Sequence, residues 1–408
     1  MPTENPMRTM GGAGAAQPAV PPDALARAAR ILVIKLDELG DFILATPFLR
    51  GLRVYAPQAH IALAVTAPVL ELAGEPGGPC PWADAVVTPV GDVAGGKFSF
   101  RGRTPDDLQA FAAAFRAGFD LVVTLRFDVD KGGAATLAAA TRAPVRLGYS
   151  ETVTPWKAAG NRGFDAAYTH VLPAGPVRHE VERNLALLAA LGAADPGDGT
   201  LDLPLSAAER EAAVCRLGAF PGGRPGRLLA VAPTTAIARK NYPIDRLRPL
   251  LDRVVRATGV GGLVLLGTAD GVERASRLTD GMLADGMPCP VLDLTGRTGV
   301  RELAAIVAAS DALLAMDTGP AHMAAAVGTP VATLFCHPIG GDPQSPYAPE
   351  RFRPWGDAVL VVQPPHAVAP CTDKCLSSEP HCIAAIDPGA AADRIAEFLR
   401  ASRFGTAG

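Results

Sequence analysis

The stretch Asp317-Thr318-Gly319-Pro320-Ala321-His322 gathers a carboxylate, a hydroxyl and an imidazole between an apolar run, residues 312–316, and a small-residue run, residues 323–327. The pattern predicts a strand, a tight turn and a helix. Pro320 suits the first helical position, where its missing N–H is no loss, and Thr318 or Asp317 can cap the helix. The free N–H groups and the positive dipole end of such a helix start hold an anion such as a phosphate, and His322 in the first turn can add a donor. A capped helix with a surface histidine accounts for the same residues equally well.

A second motif, residues 31–42 (ILVIKLDELGDF), reads as a buried strand ending near Leu36 and a helix starting near Asp41. Phe42, Ala45, Leu49 and Leu52 recur at helical spacing, and Gly40 permits a tight turn. Asp41 therefore sits beyond the carboxyl end of a first strand, where open parallel sheets place their ligands. A helix cap needs the same position, so a cap and a catalytic carboxylate are compatible.

Further candidates follow other predicted strands. Thr234, Thr235, Arg239 and Lys240 lie just after residues 228–232, and Lys240 suits a phosphate oxygen. In a parallel sheet they would neighbour the Asp317 turn and complete a diphosphate cradle. Gly267-Thr268-Ala269-Asp270-Gly271-Val272-Glu273 follows another strand, and Asp270 or Glu273 could accept from a ribose diol. A favourable first-turn charge explains Glu273 more simply. Asp128, Asp130 and Lys131 are candidates for sugar contacts, and the charges of residues 178–184 fit either the cleft or an amphipathic surface face.

The elements that must position these groups alternate. Strands are expected at residues 31–36, 60–65, 85–88, 120–125 and 145–148, and helices at 42–55, 104–117, 131–140 and 179–191. After a loop-rich stretch holding one capped helix, residues 206–217 with Ser206 and Glu209 at capping-box spacing, the alternation restarts. Strands are expected at 228–232, 262–266, 291–293, 312–316 and 331–335, and helices at 244–258, 271–283, 301–309, 320–327 and 388–400. Alternating βα units argue for parallel sheets covered on both faces. The expected plan is an unstructured tail over 1–29, a first domain over 30–195, a linker over 196–226, a second domain over 227–387 and a final helix in 388–408, with packing back on the first domain as one placement for it. Two such domains make a cleft, the default ligand site.

At 408 residues the chain exceeds one ordinary core. With 49% hydrophobic and 19% charged residues and a net charge of −3, it carries no bulk pull toward nucleic acid. No apolar run approaches a spanning length and no secretory leader is visible, so a cytoplasmic protein is the default expectation. Cys80, Cys215, Cys289 and Cys336 are scattered. Cys371, Cys375 and Cys382 cluster with His381, a set that could bind zinc. The spacing is not a paired C-x-x-C, and His381 adjoins Cys382, which works against one tetrahedral shell. Free thiols or a disulfide are the favoured expectation, with no metal.

Residues 36–47 (LDELGDFILATP), 239–243 (RKNYP), 317–330 (DTGPAHMAAAVGTP) and 179–188 (HEVERNLALL) together resemble glycosyltransferase family nine, the ADP-heptose:lipopolysaccharide heptosyltransferases. The similarity spans most of residues 30–400, and Tyr242 stands where the family often has Trp. The resemblance implies a GT-B fold, two Rossmann-like doubly wound α/β domains facing across a cleft, with the acceptor on the first and the nucleotide sugar on the second. It implies Asp41 as catalytic base, Lys240 at the donor phosphates, and Thr318 and Gly319 as backbone donors to the diphosphate with His322 beside them. The expected donor site is thus Thr234, Thr235, Lys240, Glu273, Asp317, Thr318, Gly319 and His322, with no cofactor. The partners implied are a nucleotide diphosphate sugar and a glycolipid or glycan acceptor. A nucleotide-sugar epimerase of similar fold and a non-catalytic binding module are the alternatives. A lipid-anchored acceptor would bring the first domain to the inner membrane, where Arg50, Arg53, Lys97, Arg101 and Arg103 could meet anionic lipid; solvated surface charge is the simpler account.

Overall fold

Alternating strand and helix signals resolve into two parallel sheets in a computed structural model that describes residues 19–73, 80–88, 93–94, 97–98 and 118–402. The first sheet runs, in spatial order, Ala85–Val87, His60–Val65, Arg30–Lys35, Leu121–Thr124, Val145–Tyr149 and His170–Leu172. The second runs Val291–Asp293, Gly262–Leu265, Leu228–Ala232, Ala312–Met316, Val331–Leu334 and Val359–Val362. Numbered by appearance within each sheet, both read 3-2-1-4-5-6. This is the doubly wound order, in which strand succession reverses between the first and fourth strands and leaves a crevice at their carboxyl ends. The α/β class and the two facing Rossmann-like domains are as the sequence led us to expect.

Burial explains why these segments became strands. Residues 31–35 are all buried, as are 61–65, 121–124, 228–232 and 312–316, so the runs read as continuously apolar, as sheets covered on both faces require. In the second sheet alternate residues serve two cores. Leu228, Ala230, Ala232, Leu313 and Ala315 join an apolar cluster continuous with the first domain. Leu229, Val231, Leu314 and Met316 face a second cluster built with helix Ile244–Thr258. The cleft thus has an apolar floor shared by both domains.

Several expectations change. The helix expected at 42–55 is two helices, Leu39–Ile43 and Thr46–Tyr55. Pro47 lacks the N–H that continuation needs, and it occupies the first turn of the second piece. Both sixth strands were unanticipated; each is a short edge strand, only half-buried along most of its length. Helices Ala67–Ala73 and Pro155–Gly160 were also missed, and the helix expected at 104–117 lies outside the described residues. Within the expected tail, Ala24–Arg27 forms a helical turn with Leu25 in the core; residues 1–18 lie outside the described set. The linker carries helix Ala207–Leu217, whose Ser206 and Glu209 close the capping box. The final helix, Pro388–Ala401, does not return to the first domain: Ile395 and Leu399 are buried against helix Ile244–Thr258 in the second. Its apolar stripe matches that helix, which turns its own buried face, Leu247, Leu250, Leu251 and Val254, toward it.

Truncating Ile395 to alanine should therefore cost about 2–5 kcal/mol. Hydrogen exchange should rise in Ile244–Thr258 and leave Arg30–Lys35 protected; the opposite pattern would place the final helix elsewhere.

Candidate active site

The first lip of the cleft grows from the carboxyl ends of the first and fourth strands. Strand Arg30–Lys35 delivers Lys35 into the interior, where its Nζ donates to the Leu125 carbonyl at 2.9 Å and meets Asp37 at 2.7 Å. From the neighbouring strand end, Arg126 reaches the other oxygen of Asp37 at 2.5 Å. Burial opposes the charge on Asp37, yet Arg126 and then Lys35 outweigh it and hold its pKa below the ordinary aspartate value. Helix Leu39–Ile43 follows, with Asp41 in its first turn. Burial pushes the Asp41 carboxyl up to about 7, against the pull of Lys35, with the charge of Asp37 adding to the rise. Among the described residues Asp41 has no ion-pair partner.

The second lip grows from the same two strand positions of the other sheet. Asp317 ends strand Ala312–Met316 and pairs with Lys240 at 2.5 Å. Burial works against the Lys240 charge, but the Asp317 carboxylate raises its pKa above the usual lysine value, so the ammonium stays charged. An ammonium has three donors, so one partner leaves capacity for a ligand oxygen. The Tyr347 ring lies 5.2 Å from its Nζ. Thr318 takes the N-cap position of helix Gly319–Val327, but its side chain makes no cap bond. The helix start is therefore free of the side-chain oxygen that normally occupies it. His322 is buried one turn in; burial drives its pKa down to about 4, so the imidazole is neutral, and its Nδ1 has no hydrogen-bond partner.

The two lips touch. A Cβ placed on Gly40 would stand 2.6 Å from Cδ2 of His322, and one on Gly319 would stand 3.5 Å from Cβ of Leu39. Asp41 follows Gly40 directly in the chain, and His322 lies in the first turn of the helix that Asp317 precedes.

A buried ion cluster spans the domains beside this contact. Arg351 of helix Pro349–Phe352, fully buried, reaches Asp128 at 2.7 Å and Glu180 at 2.6 Å in the first domain. Its guanidinium lies 5.1 Å from the Phe127 ring centre, and that of Arg183 lies 3.4 Å from it. Burial opposes ionisation of Asp128, but Arg351 and then Arg126 hold its pKa below the ordinary value.

The remaining candidates sort unevenly. Thr234, Thr235, Asn241, Thr268, Asp270, Gly271 and Arg274 line a cavity of about 80 Å³ beyond the second sheet. Within it the Thr235 hydroxyl is engaged locally, donating to the Ile237 carbonyl at 2.9 Å. Glu273 is not among them: it is exposed in the first turn of helix Val272–Ala284, one position before Arg274. Asp130 accepts from the N–H groups of Gly132, Ala134 and Ala135 and so serves a helix start. Residues 178–184 are not a surface face, since Glu180 and Arg183 are buried and His179 bonds the Arg353 carbonyl at 2.8 Å across the domains. Of the basic residues considered for membrane contact, Arg50 pairs with Asp198 and Arg53 with Asp84. Arg101 and Arg103 lie outside the described residues, as does the Lys97 side chain. No helix among the described residues is long and apolar enough to cross a membrane. Sequence reasoning missed Arg126, Arg274 and Arg351; a strand-end signal existed only for Arg126, which follows residues 121–125.

The sequence profile described as Glycosyltransferase family 9 (heptosyltransferase) matches residues 109–381. Lipopolysaccharide heptosyltransferase 3 of Escherichia coli K12 is 25% identical over 300 residues, covering 72% of this chain and 79% of its own. Among solved structures, a family 9 glycosyl transferase from Veillonella parvula superposes with a TM-score of 0.66 at 20% identity, over 92% of this chain and 97% of its own. The E. coli ADP-heptose lps heptosyltransferase II superposes with 0.63 at 18%, over 91% and 98%. These superpositions establish a common fold.

Two outcomes follow from the electrostatics. Arg351→Met leaves Asp128 and Glu180 buried without their main partner, which should cost roughly 3–5 kcal/mol at neutral pH. Since the lowered pKa of Asp128 contributes stability only while it is ionised, the gap to the wild type should narrow as urea midpoints are taken toward acid; a pH-independent gap would refute the pairing. Asp41 has the opposite sign. Its raised pKa favours the neutral form, so its contribution to stability is lost as pH rises from the unfolded value toward about 7. Asp41→Asn should accordingly melt higher than wild type at pH 8 and gain little at pH 4.

Proposed function

The chain belongs to glycosyltransferase family 9 and is a glycosyltransferase, and from that premise we propose that it transfers a heptose from ADP-heptose, with inversion at the anomeric carbon, to a hydroxyl of a lipopolysaccharide core or related glycan. The donor and acceptor follow those of the relatives, a lipopolysaccharide heptosyltransferase and an ADP-heptose lps heptosyltransferase. The observation that supports this reading is the contact of Gly40 with His322: Asp41 follows Gly40 in the chain of one domain, and on the other His322 shares its turn with Asp317, which pairs with Lys240.

In this reading the acceptor hydroxyl attacks the anomeric carbon as the bond to the ADP oxygen breaks. The hydroxyl proton passes to Asp41, and the leaving diphosphate gathers negative charge. A base with a pKa near the working pH combines availability with driving force, and a value of about 7 meets that condition. Lys240 and the N–H groups of Thr318 and Gly319 stabilise the departing charge, fixed in place before the reaction. Asp317 keeps Lys240 protonated and aimed, and the neutral His322 can donate or accept one hydrogen bond at its unpartnered nitrogen. Direct displacement, with base and leaving group on opposite lips, gives inversion. The cavity lined by Thr234, Thr268 and Asp270 lies on the donor side, in reach of the nucleoside.

Asp41→Ala should abolish transfer while ADP affinity by calorimetry stays within about twofold, and Lys240→Ala should weaken ADP binding and lower kcat by about 10²–10³. In the wild type kcat/KM should rise with pH to a plateau above about 7. Equal loss of ADP affinity in both variants would make Asp41 structural. A thermal-shift series in which ADP-heptose fails to stabilise the protein and another nucleotide sugar succeeds would replace the donor.

A further inference from the structure

We propose that Cys371, Cys375, His381 and Cys382 form a closed tetrahedral site for one divalent transition-metal ion, zinc in the first instance, which staples the loop ahead of the final helix. One ligand atom from each of the four side chains lies within 4.8 Å of all the others. The His381 Nδ1 stands 3.7 Å from the Cys371 sulfur and 3.5 Å from the Cys382 sulfur. With Zn–S near 2.3 Å and Zn–N near 2.1 Å, a tetrahedron separates adjacent ligand atoms by roughly 3.6–3.8 Å. Both His381–sulfur distances match that separation within about 0.1 Å, and the remaining pairs lie within 4.8 Å. A disulfide would draw two sulfurs to about 2.05 Å and leave the third thiol and the imidazole without a role.

The adjacency of His381 and Cys382, which argued against one shell from sequence alone, is no obstacle. The backbone turns at His381, φ −134° and ψ −84°, just ahead of the short helix Cys382–Ala385, and both side chains point to the same spot. The site sits at the edge of the second core, with all three cysteines buried and His381 half-buried. The Leu376 N–H donates to the Cys371 sulfur at 3.3 Å, the outer bond that supports a metal-bound thiolate. Three thiolates and an imidazole form a soft to borderline set that selects zinc or ferrous iron over magnesium or calcium. Four protein ligands fill the shell, so the site is structural and keeps no open position for a substrate.

Its place in the fold gives the staple a purpose. The Cys375 carbonyl accepts from Arg239 Nη1 at 3.2 Å, and the Ile386 carbonyl accepts from the Tyr242 hydroxyl at 2.7 Å. Both ends of the loop therefore brace the segment that carries Lys240. Lys374 lies 5.7 Å from the Trp156 ring centre in the first domain. Folding this loop without an ion would bury three thiols and an imidazole around a gap; binding one releases the thiol protons and adds binding energy to folding. The assignment stands on these ligands alone and is independent of the transfer reaction.

The full chain, purified with a phosphine reductant and no chelator, should carry about one zinc or iron per chain by elemental analysis. Cys375→Ser and Cys382→Ser should each lower occupancy by tenfold or more at limiting metal, while Cys215→Ser, exposed on helix Ala207–Leu217, should leave it unchanged. Because the cysteine variants could also fail by misfolding, the wild type gives the second readout. Chelation should lower its melting temperature, zinc should restore it, and cobalt should produce thiolate charge-transfer and intense tetrahedral ligand-field bands. Metal-free protein that takes up no zinc or cobalt and melts unchanged would overturn the site. So would a non-reduced intact mass lower by two hydrogens, which would assign a disulfide.

Discussion

The cleft depends on one steric fact: a helix start from the first sheet and a helix start from the second meet where Gly40, lacking a side chain, lies against the His322 ring. Gly40 is the point of contact. Any Cβ there would enter the His322 ring, and relief would come only from parting the domains or turning the imidazole. The carboxylate of Asp41 and the Lys240–Asp317 pair come from segments nearly 200 positions or more apart in the chain, and Gly40 and His322 are where those segments approach each other. Gly40 is therefore required less for its own backbone freedom than for the space it leaves to the other domain.

That approach is reached from a shared topology. In both sheets strand succession reverses between the first and fourth strands, and the charged groups of the site issue from those strands. Lys35, Asp37 and Asp41 follow the first strand of one domain, with Arg126 and Asp128 after the fourth. Thr234 and Lys240 follow the first strand of the other, with Asp317 and Thr318 after the fourth. The two crevices approach each other where Gly40 meets His322. The apolar cluster that runs from the first core to the inner face of the second sheet fixes their separation, and Arg351 locks it with charge at the point where the fifth strand's connection crosses over.

This explains what was legible in the sequence. Asp41, Lys240, Asp317, Thr318 and His322 each sit at a strand-turn-helix junction, and the punctuation that marks such junctions, Gly40, Pro320 and the ends of apolar runs, is local. Arg351 has no such marker, for it lies on a one-turn helix in a connection, and its partners Asp128 and Glu180 are 223 and 171 positions away. For Glu180 and Arg183 the sequence left cleft and surface face open, because helical periodicity cannot say what will cover a face from another domain. Glu273 and Arg274 differ in exposure because a helix turns successive side chains by about 100°, so of the two Arg274 lines the cavity and Glu273 meets solvent. In the cysteine loop the linear spacing hid that Cys371, Cys375, His381 and Cys382 bring their ligand atoms within 4.8 Å of one another, because the segment folds back on itself.

The charges around Asp41 show how a fold selects one carboxylate among several. Lys35 and Arg126 are committed to Asp37, and Arg351, with Arg183, to Asp128 and Glu180. Asp37 and Asp128 pay the same kind of desolvation cost as Asp41 but stay ionised because a cation is in contact. Asp41 feels Lys35 and Arg126 only at longer range, and the neighbouring carboxylates push against it, so its desolvation is left largely uncompensated. Its basicity therefore comes from what its neighbours withhold: each cation within reach is already held by another acid. Adding a cation beside Asp41 would make it a better ion-pair partner and a poorer base.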